Sequence, residues 1–464
     1  MRQPPNEIVE LLTRYGQQHL LFGWDRLLEI EKDELTQQLS RIDFPTLARL
    51  YETRNDASVS LPSRSRIAPI PVQSGIAPLE VRREGEESLR RGEVAVLLVA
   101  GGQGSRLGFE KPKGMFAIGP VSNASLFRIH AEKVLAISRR YSRPVPLLIM
   151  TSPATHADTQ EYFDAENFFG LSPGDVRFFQ QGTMPAVDLT TGRILLEQPG
   201  RLFLSPNGHG GTLTALAESG LLKELESRGV RHVFYFQVDN PLVKVCDPAF
   251  LGNHIAAHSA ASSKVVFKEQ PGEKVGVLAV VDGRCSIIEY SDMSSEMAAE
   301  RDETGNLRFR AGNPAIHIFD VGFLKWVTGS GKLSYHTARK KVPYLDTNTG
   351  LVNHPTIENA MKFELFIFDA LPLADRWLAM ETNRAEEFAP LKNATGADSP
   401  ATVRKAISRL HASWLEAAGV SIPTSDTGDP IDPVEISPLY ALDEDEFVSK
   451  DTSNLVENGS IYLR

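Results

Sequence analysis

The run VAVLLVA (Val94–Ala100), followed directly by GGQGSRLG (Gly101–Gly108), decides the fold of this chain. An apolar run without polar alternation is typical of a strand that is buried on both faces of a parallel sheet. Further strand candidates occur at Leu147–Met150, Val176–Phe179 and Val233–Val238, and helical patterns separate them. This alternation predicts an α/β fold with an open sheet and helices on both of its faces.

The 464 residues are too many for one ordinary domain, so we expect smaller parts around the central sheet. Residues 5–53 carry apolar side chains at helical spacing, and the prolines of residues 61–78 indicate a linker or strap without regular structure. Near the end, Thr402–Ala418 has the pattern of an amphipathic helix, and short strand candidates follow it. We therefore predict an N-terminal helical region and strap at 1–89, a central α/β domain at 90–390, and a C-terminal β-containing subdomain at 391–464.

Charge and composition exclude several classes of protein. The formal charge of −10 disfavours a nonspecific nucleic-acid binder, which needs a basic surface. The start of the chain lacks the apolar core of a signal peptide, and no run approaches the 18 apolar residues of a membrane span. The two cysteines, Cys246 and Cys285, lie far apart and form no CxxC pair, which suits a reducing compartment. We therefore expect a cytoplasmic protein that binds neither nucleic acid nor membrane.

The glycine-rich segment after the first strand has the chemistry of an anion site. Several glycines let backbone N–H groups converge on one point, Arg106 and Lys113 add cations, and Pro112 restricts the backbone just before Lys113. The segment matches neither the Walker A motif nor the G-x-G-x-x-G dinucleotide fingerprint. The residues alone leave one alternative, a tight strand-to-helix turn that holds no ligand.

A second candidate site residue is Asp239, which follows the apolar strand Val233–Val238. Ligands in open α/β sheets bind beyond the carboxyl ends of strands, and a carboxylate there is a suitable oxygen ligand for Mg²⁺. Asp-Asn-Pro is also a common turn sequence. From the residues alone both interpretations stay open. His254 and His258 lie four apart with no matching acid, and we expect both at the surface.

Taken with Pro112-Lys113-Gly114-Met115, the glycine-rich string resembles that of the eukaryotic-type UDP-N-acetylglucosamine pyrophosphorylases, within the UDP-glucose and UDP-sugar pyrophosphorylase group. The resemblance extends over roughly residues 90–440, with its motifs in the family's order. It implies a nucleotidyltransferase-type (GT-A/Rossmann-like) central domain with a mixed, mostly parallel sheet. It also implies the Mg²⁺-dependent reaction of UTP with a sugar 1-phosphate to give a UDP-sugar and pyrophosphate.

The resemblance further implies a set of site residues. They are Arg106, Lys113 and Lys392 as catalytic cations; Val99, Ala100, Gly101, Gly102, Gln181 and Gly208 at the nucleotide; His209, Gly276, Glu289, Tyr290, Asn313 and Lys362 at the sugar 1-phosphate; and Asp239 at Mg²⁺. Outside this resemblance, the two lysines Lys362 and Lys392 would be ordinary surface residues.

One residue departs from the family pattern. The N-acetylglucosamine enzymes usually carry asparagine where this chain has His209, whereas the UDP-glucose and broad UDP-sugar enzymes carry Gly-His-Gly. Imidazole is bulkier than the amide and offers a different hydrogen-bonding geometry. The acceptor is therefore expected to be N-acetylglucosamine 1-phosphate, with glucose or galactose 1-phosphate as the alternative. A second alternative is that histidine at position 209 is a neutral substitution that leaves the substrate unchanged.

Two other classes of protein fit the sequence less well. A glycosyltransferase on a similar domain would show a D-x-D metal motif at a strand end, but Asp443-Glu444-Asp445 lies in the acidic tail. A non-catalytic nucleotide sensor would have lost a cation or the metal carboxylate, and Arg106, Lys113 and Asp239 are all present. The chain is expected to be a monomer or a weak homo-oligomer.

Overall fold

The structure is a computed structural model that describes residues 2–55, 64–450 and 459–464. The α-helices within them are α1 (Asn6–Arg14), α2 (Glu29–Ser40), α3 (Phe44–Glu52), α4 (Leu79–Arg91), α5 (Leu126–Arg140), α6 (His156–Ala165), α7 (Gly211–Glu218), α8 (Leu221–Ser227), α9 (Pro248–Ala256), α10 (Ser295–Ala299), α11 (Val321–Ser330), α12 (Arg384–Glu387), α13 (Pro400–Ala417) and α14 (Glu444–Val448).

The strands fall into one large sheet and several small ones. They are β1 (Ile67–Pro69), β2 (Val94–Val99), β3 (Leu147–Thr151), β4 (Val176–Gln180), β5 (Thr183–Pro185), β6 (Val187–Asp188), β7 (Leu196–Gln198), β8 (Arg201–Leu202), β9 (Leu204–Pro206), β10 (His232–Gln237), β11 (Ala261–Phe267), β12 (Val277–Val281), β13 (Arg284–Ile288), β14 (Ala311–Gly312), β15 (His317–Asp320), β16 (Tyr335–Lys340), β17 (Tyr344–Asp346), β18 (Leu351–Asn353), β19 (Ala360–Leu365), β20 (Trp377–Glu381), β21 (Val434–Ile436) and β22 (Ile461–Leu463).

The chain forms two compact units. The smaller unit comprises the described parts of Met1–Leu61 with Gln181–Thr214 and Lys332–Asp369, and the larger unit comprises the described remainder. These units combine stretches that are distant in sequence, whereas the predicted boundaries at residues 89 and 390 separate consecutive domains. That division stays a prediction.

The larger unit is built on an 11-stranded mixed sheet in the order β1-β12-β14-β11-β15-β10-β2-β3-β4, with β13 beside β12 and β20 beside β11. Its strands β10, β2, β3 and β4 are parallel neighbours, whereas β15 runs antiparallel to β10. The predicted α/β class with a mixed sheet is confirmed. The apolar run of β2 is buried from Val94 to Leu98, because the strand lies inside the sheet.

Helix α5 follows the glycine-rich segment and begins at a capped end. The hydroxyl of Ser125 accepts a hydrogen bond from the backbone N–H of Arg128 at 3.1 Å, which satisfies one free donor of the first turn. Leu126, Ile129 and Val134 are buried on one face of the helix. Through this apolar face, α5 packs into the same hydrophobic core as β2 and β10.

The smaller unit contains the predicted N-terminal helices α1, α2 and α3. They share a hydrophobic core with β19 and the β7–β8 hairpin, in which Leu12, Leu35 and Phe363 are buried. A three-stranded sheet in the order β16-β19-β6 carries this core. The unit therefore assembles from three stretches that are far apart in sequence.

Two expectations were wrong. The strap was expected to lack regular structure, but residues 67–69 form β1, which pairs antiparallel with β12 at the edge of the large sheet. Pro69 is tolerated there because an edge strand needs no further hydrogen-bond partner. His254 was expected at the surface but is 1% exposed, with its Nδ1 2.8 Å from the Ser262 hydroxyl.

The C-terminal segment joins the larger unit. Its helix α13 is confirmed over Pro400–Ala417, and it packs with β21, which pairs in parallel with β22. Cys246 and Cys285 are free and buried. Within the parts of the chain that the structure describes, no helix is both long and apolar enough to cross a bilayer.

Candidate functional site

The glycine-rich segment folds into a closed loop at the end of β2. The backbone N–H of Gly104 donates to the Lys111 carbonyl at 2.9 Å, and that of Lys113 donates to the Gly102 carbonyl at 3.0 Å. A Cβ on Gly104 would lie 2.7 Å from the Phe109 carbonyl oxygen, so this position needs glycine. These two hydrogen bonds close the loop, so that Lys113 lies beside Gly102.

The open side of this loop presents backbone donors. Among the described residues, the N–H groups of Gly101, Gly102 and Gln103 donate to no protein acceptor. Gly102 has free space where a side chain would stand, and the Arg106 side chain is exposed in the following 3₁₀ turn. Successive N–H groups with a nearby cation form a site that suits phosphate. Val99 and Ala100 lead into this loop from β2.

Lys113 and Asp239 meet at the carboxyl ends of two adjacent parallel strands. Val99 at the end of β2 pairs with Gln237 at the end of β10, so the residues that follow emerge at the same edge of the sheet. The Nζ of Lys113 lies 3.5 Å from Oδ2 of Asp239, with the two side chains 21% and 14% exposed. This pair is reachable by a ligand yet is screened less by solvent than a surface pair.

The segment that carries Lys392 comes to the same place. The Lys113 Nζ donates to the Leu391 carbonyl at 3.3 Å, and the backbone N–H of Leu391 donates to the Asp239 carbonyl at 2.8 Å. Lys392 is the next residue, and its side chain is half-buried. The structure therefore brings the glycine loop, Lys113, Asp239 and Lys392 together within the larger unit.

A second group of predicted residues lies elsewhere in the larger unit. The backbone N–H of Asn313 donates to the Gly276 carbonyl at 2.8 Å, and a Cβ on Gly276 would lie 3.0 Å from Oε1 of Glu289. Tyr290 follows and is 48% exposed. These residues stand at the open end of the β12–β13 hairpin and beside β14. Four of the predicted sugar residues, Gly276, Glu289, Tyr290 and Asn313, therefore cluster.

The remaining predicted residues belong to the smaller unit. Gln181 Nε2 donates to the Gly208 carbonyl at 2.6 Å, so two of the predicted nucleotide residues are in direct contact. Gly208 has a φ of +84°, and a Cβ there would lie 2.3 Å from the Leu365 carbonyl oxygen. Only glycine suits this close approach. The Gly210 N–H also donates to Leu365, which fixes the loop against β19.

His209 is held on one side by the backbone after β19. Its Nδ1 accepts a hydrogen bond from the Ile367 N–H at 3.2 Å, and its ring centroid lies 5.3 Å from that of Phe366 and 5.5 Å from that of Phe368. Because a backbone N–H can only donate, the ring proton resides on Nε2. Burial lowers the pKa of His209 to about 4, so the imidazole is neutral at physiological pH.

Lys362 lies in β19, and a 3₁₀ helix over Ile367–Leu373 follows this strand. Its Nζ is 5.2 Å from the centre of the Phe203 ring. Burial lowers the pKa of the Lys362 ammonium group. The side chain is therefore partly desolvated, unlike an ordinary surface lysine.

Sequence reasoning missed the polar residues behind Asp239. The Nε2 of His130 and the Nζ of Lys133, both on α5, bond to backbone carbonyls on either side of Asp239. Asn240 is 3% exposed and links the same turn to Glu387. Asn240 could have been noticed from its place beside Asp239. His130 and Lys133 could not have been identified from the sequence, because the pattern of α5 indicates only an amphipathic helix.

The chain is similar to known proteins over most of its length. The sequence profile described as UTP–glucose-1-phosphate uridylyltransferase matches residues 47–403. A UDP-N-acetylhexosamine pyrophosphorylase-like protein 1 of Xenopus tropicalis is 39% identical over 461 residues, covering 92% of this chain and 90% of the relative. The UDP-N-acetylglucosamine pyrophosphorylase of Saccharomyces cerevisiae is 38% identical over 440 residues, covering 89% of this chain and 91% of the relative.

A solved structure agrees with these relatives. The uridine diphosphate N-acetylglucosamine pyrophosphorylase of Trypanosoma brucei, solved in complex with an inhibitor, has a TM-score of 0.83 against this chain. It is 27% identical, and the match covers 100% of this chain and 99% of the other. The profile and these relatives each span most of the chain, and the chain thus belongs to the UTP–glucose-1-phosphate uridylyltransferase family, beside its UDP-N-acetylglucosamine pyrophosphorylases.

Proposed function

We propose that this chain catalyses the reaction of UTP with N-acetylglucosamine 1-phosphate to give UDP-N-acetylglucosamine and pyrophosphate. The observation that carries the proposal is the Lys113–Asp239 pair, 3.5 Å apart beside the free N–H groups of the glycine loop. A cation, a carboxylate and converging donors at one strand edge are what a triphosphate and its metal need. The family supports UTP and a sugar 1-phosphate as the substrates.

The residues suit an in-line displacement at the α-phosphorus. An oxygen of the sugar phosphate attacks while pyrophosphate leaves, so the protein's task is positioning and neutralising charge. The glycine loop holds phosphate oxygens through N–H groups, and Lys113 with Arg106 offsets the repulsion between two anionic substrates. Lys392, held next to Asp239 through Leu391, adds a further cation at this edge.

Asp239 fits a magnesium site. Mg²⁺ prefers oxygen ligands and is often bound by one or two carboxylates together with substrate phosphates and water. Among the residues described, no cluster of three or more His, Cys, Asp or Glu side chains stands ready to hold a metal by itself. We therefore assign Asp239 as the protein ligand of Mg²⁺, which supplies charge neutralisation at the phosphates when bound.

The other predicted residues complete the assignment. Gln181 and Gly208, which are hydrogen-bonded to each other, are proposed to contact the uridine. Glu289, Tyr290 and Asn313 are proposed to bind sugar hydroxyl groups, since carboxylate and amide groups accept and donate hydrogen bonds well. Lys362 is proposed to act on the phosphate of the sugar. A cytoplasmic location is proposed as well, which suits the two free, buried cysteines of the described residues, and a monomer or weak homo-oligomer is proposed as the state of the chain.

His209 supports a second candidate activity, with glucose or galactose 1-phosphate as the acceptor. Its Nδ1 is already occupied by the Ile367 N–H, which leaves Nε2–H as a fixed donor. An asparagine in its place could still accept from Ile367 through its oxygen but would direct its N–H₂ group differently. The donor that faces away from Ile367 thus differs between the two residues.

The test is pyrophosphate release from UTP over a panel of N-acetylglucosamine, glucose and galactose 1-phosphates, with wild type and His209→Asn. We expect the highest kcat/KM on N-acetylglucosamine 1-phosphate and a further shift toward it in His209→Asn. A panel in which glucose 1-phosphate is preferred would establish the second activity. Identical ratios in both proteins would show that His209 does not select the sugar.

A further inference from the structure

Helix α5 contacts the segment that carries Asp239 through two polar side chains. His130 Nε2 lies 3.0 Å from the Val238 carbonyl oxygen, and Lys133 Nζ donates to the Pro241 carbonyl and, at 2.8 Å, to the Val243 carbonyl. The two side chains are three residues apart, so they lie on one face of the helix. We refer to residues 238–243 as the Asp239 turn.

The Asp239 turn needs these donors. It follows the last residue of β10, so the sheet no longer supplies partners for its carbonyls, and Pro241 lacks an N–H group. A buried carbonyl without a donor is costly, and His130 is fully buried. Since a carbonyl only accepts, the His130 Nε2 carries the proton. The path of this turn is therefore set by side chains of α5.

Asn240 ties the same turn to the segment that leads to Lys392. Its Nδ2 donates to the Glu387 carbonyl at 2.7 Å, and its Oδ1 accepts from the Ala389 N–H at 3.1 Å. With the bond from the Leu391 N–H to the Asp239 carbonyl, three hydrogen bonds hold the two segments side by side. Hydrogen bonds thus join the segment of the predicted metal carboxylate, Asp239, to the segment that carries Lys392.

Glu387, at the beginning of the segment that leads to Lys392, is held by a buried polar network. The Glu387 side chain is 2% exposed, and it accepts hydrogen bonds from the Lys264 ammonium and, at 2.7 Å, from the Thr382 hydroxyl. Lys264 is fully buried in β11 and also pairs with Asp247 at 2.7 Å. A satisfied network of buried charges is rigid, because each group loses its partners if it moves. The segment after Glu387 therefore has a fixed starting point.

We propose that His130, Lys133 and Asn240 are positioning residues for the transfer reaction. They contact no reacting group; they hold the Asp239 carboxylate 3.5 Å from Lys113 and keep Lys392 beside it. The inference rests on the proposed function, in which Asp239 holds Mg²⁺. Positional errors of about 1 Å in a catalytic group can cost about 100-fold in rate.

The test compares Lys133→Met, which keeps side-chain length but removes the donors, with Lys133→Arg, which keeps them. The larger guanidinium has room because Lys133 lines a cavity of about 920 Å³. Arg139→Met, at an exposed position of the same helix, is the matched control. The measurements are kcat, KM for UTP, the Mg²⁺ concentration for half-maximal rate, and Mn²⁺ binding in the presence of UTP by electron paramagnetic resonance.

For Lys133→Met we expect a drop in kcat of about 10- to 100-fold, a KM for UTP within about twofold, and severalfold weaker binding of Mn²⁺. Lys133→Arg should recover most of both losses, and Arg139→Met should match wild type. A folded Lys133→Met with wild-type kcat and Mn²⁺ affinity overturns the inference, as does a loss that Lys133→Arg does not recover.

If Lys133→Met does not fold, Asn240→Ala carries the same test with the same expected pattern. Wild-type Mn²⁺ affinity and kcat in that variant would overturn the inference. A wild-type protein that releases no pyrophosphate from UTP would instead overturn the proposed function. The two failures are distinguished because only the second appears before any substitution is made.

Discussion

Replacing Lys113 by methionine removes one charge from the phosphate edge and leaves most of the side-chain volume. The lysine Nζ lies 3.5 Å from Asp239 Oδ2 and 3.3 Å from the Leu391 carbonyl, so its position is set by two neighbours. Two unit charges about 4 Å apart interact by about 4 kcal/mol at the effective dielectric constant of about 20 that applies near a protein surface. The side chain is 21% exposed, and solvent reduces this figure.

A loss of about 3–4 kcal/mol in transition-state stabilisation corresponds to about 10²–10³-fold in kcat/KM. Stability should change little, because a partly exposed ion pair typically contributes at most about 1 kcal/mol. The assay is steady-state pyrophosphate release, accompanied by thermal unfolding to confirm the fold. Lys113→Arg, which keeps the charge, is the control and should lose much less. A Lys113→Met protein within about threefold of wild type would refute the assignment of Lys113 to the phosphates.

Three other predictions concern single positions. Asp239→Asn should raise the Mg²⁺ concentration for half-maximal rate and lower kcat about 100-fold; an unchanged Mg²⁺ titration would remove its metal role. Gly210→Ala should lower the free energy of unfolding by about 1–3 kcal/mol, because its Cβ would lie 2.4 Å from the Phe366 carbonyl carbon. Gly329→Ala, with open space around it, is the control and should be neutral or stabilising. Burial lowers the pKa of His254 to about 3. Between that value and about 6.5 the unfolded chain binds a proton that the folded chain does not, so stability falls as the pH drops through this window. From pH 7 to pH 5 this residue should cost about 2 kcal/mol in urea unfolding, and an equal loss in His254→Gln would contradict its part in the effect.

The strands of the central sheet could be predicted because their residues are mostly apolar. The runs of β2, β3 and β10 are apolar at nearly every position, as a strand covered on both faces requires. By contrast, β1 is three residues long and ends in Pro69, so no local pattern distinguishes it from a linker. Its partner β12 lies more than 200 residues away, and pairing at that separation leaves no local signal.

Part of the candidate site could also be predicted from the sequence, and part could not. The meeting of Lys113 and Asp239 could be anticipated, since both follow strand ends and the carboxyl ends of parallel neighbours share one edge. The contacts of His130 and Lys133 could not, because each depends on carbonyls brought close only by folding. His209 is intermediate: the sequence marks it as unusual, but only the structure shows which nitrogen is occupied.

The measurement that tests the central claim most directly follows the phosphorus atoms of UTP. The purified chain is incubated with Mg²⁺, N-acetylglucosamine 1-phosphate and UTP that is labelled at either the α- or the γ-phosphate, and parallel reactions contain glucose or galactose 1-phosphate instead. If the glycine loop, Lys113 and Asp239 align the α-phosphorus for attack, the α-label will appear in UDP-N-acetylglucosamine and the γ-label in pyrophosphate, in equal amounts. Transfer of the γ-label to another product, or no product with any of the three sugar 1-phosphates, would contradict the account.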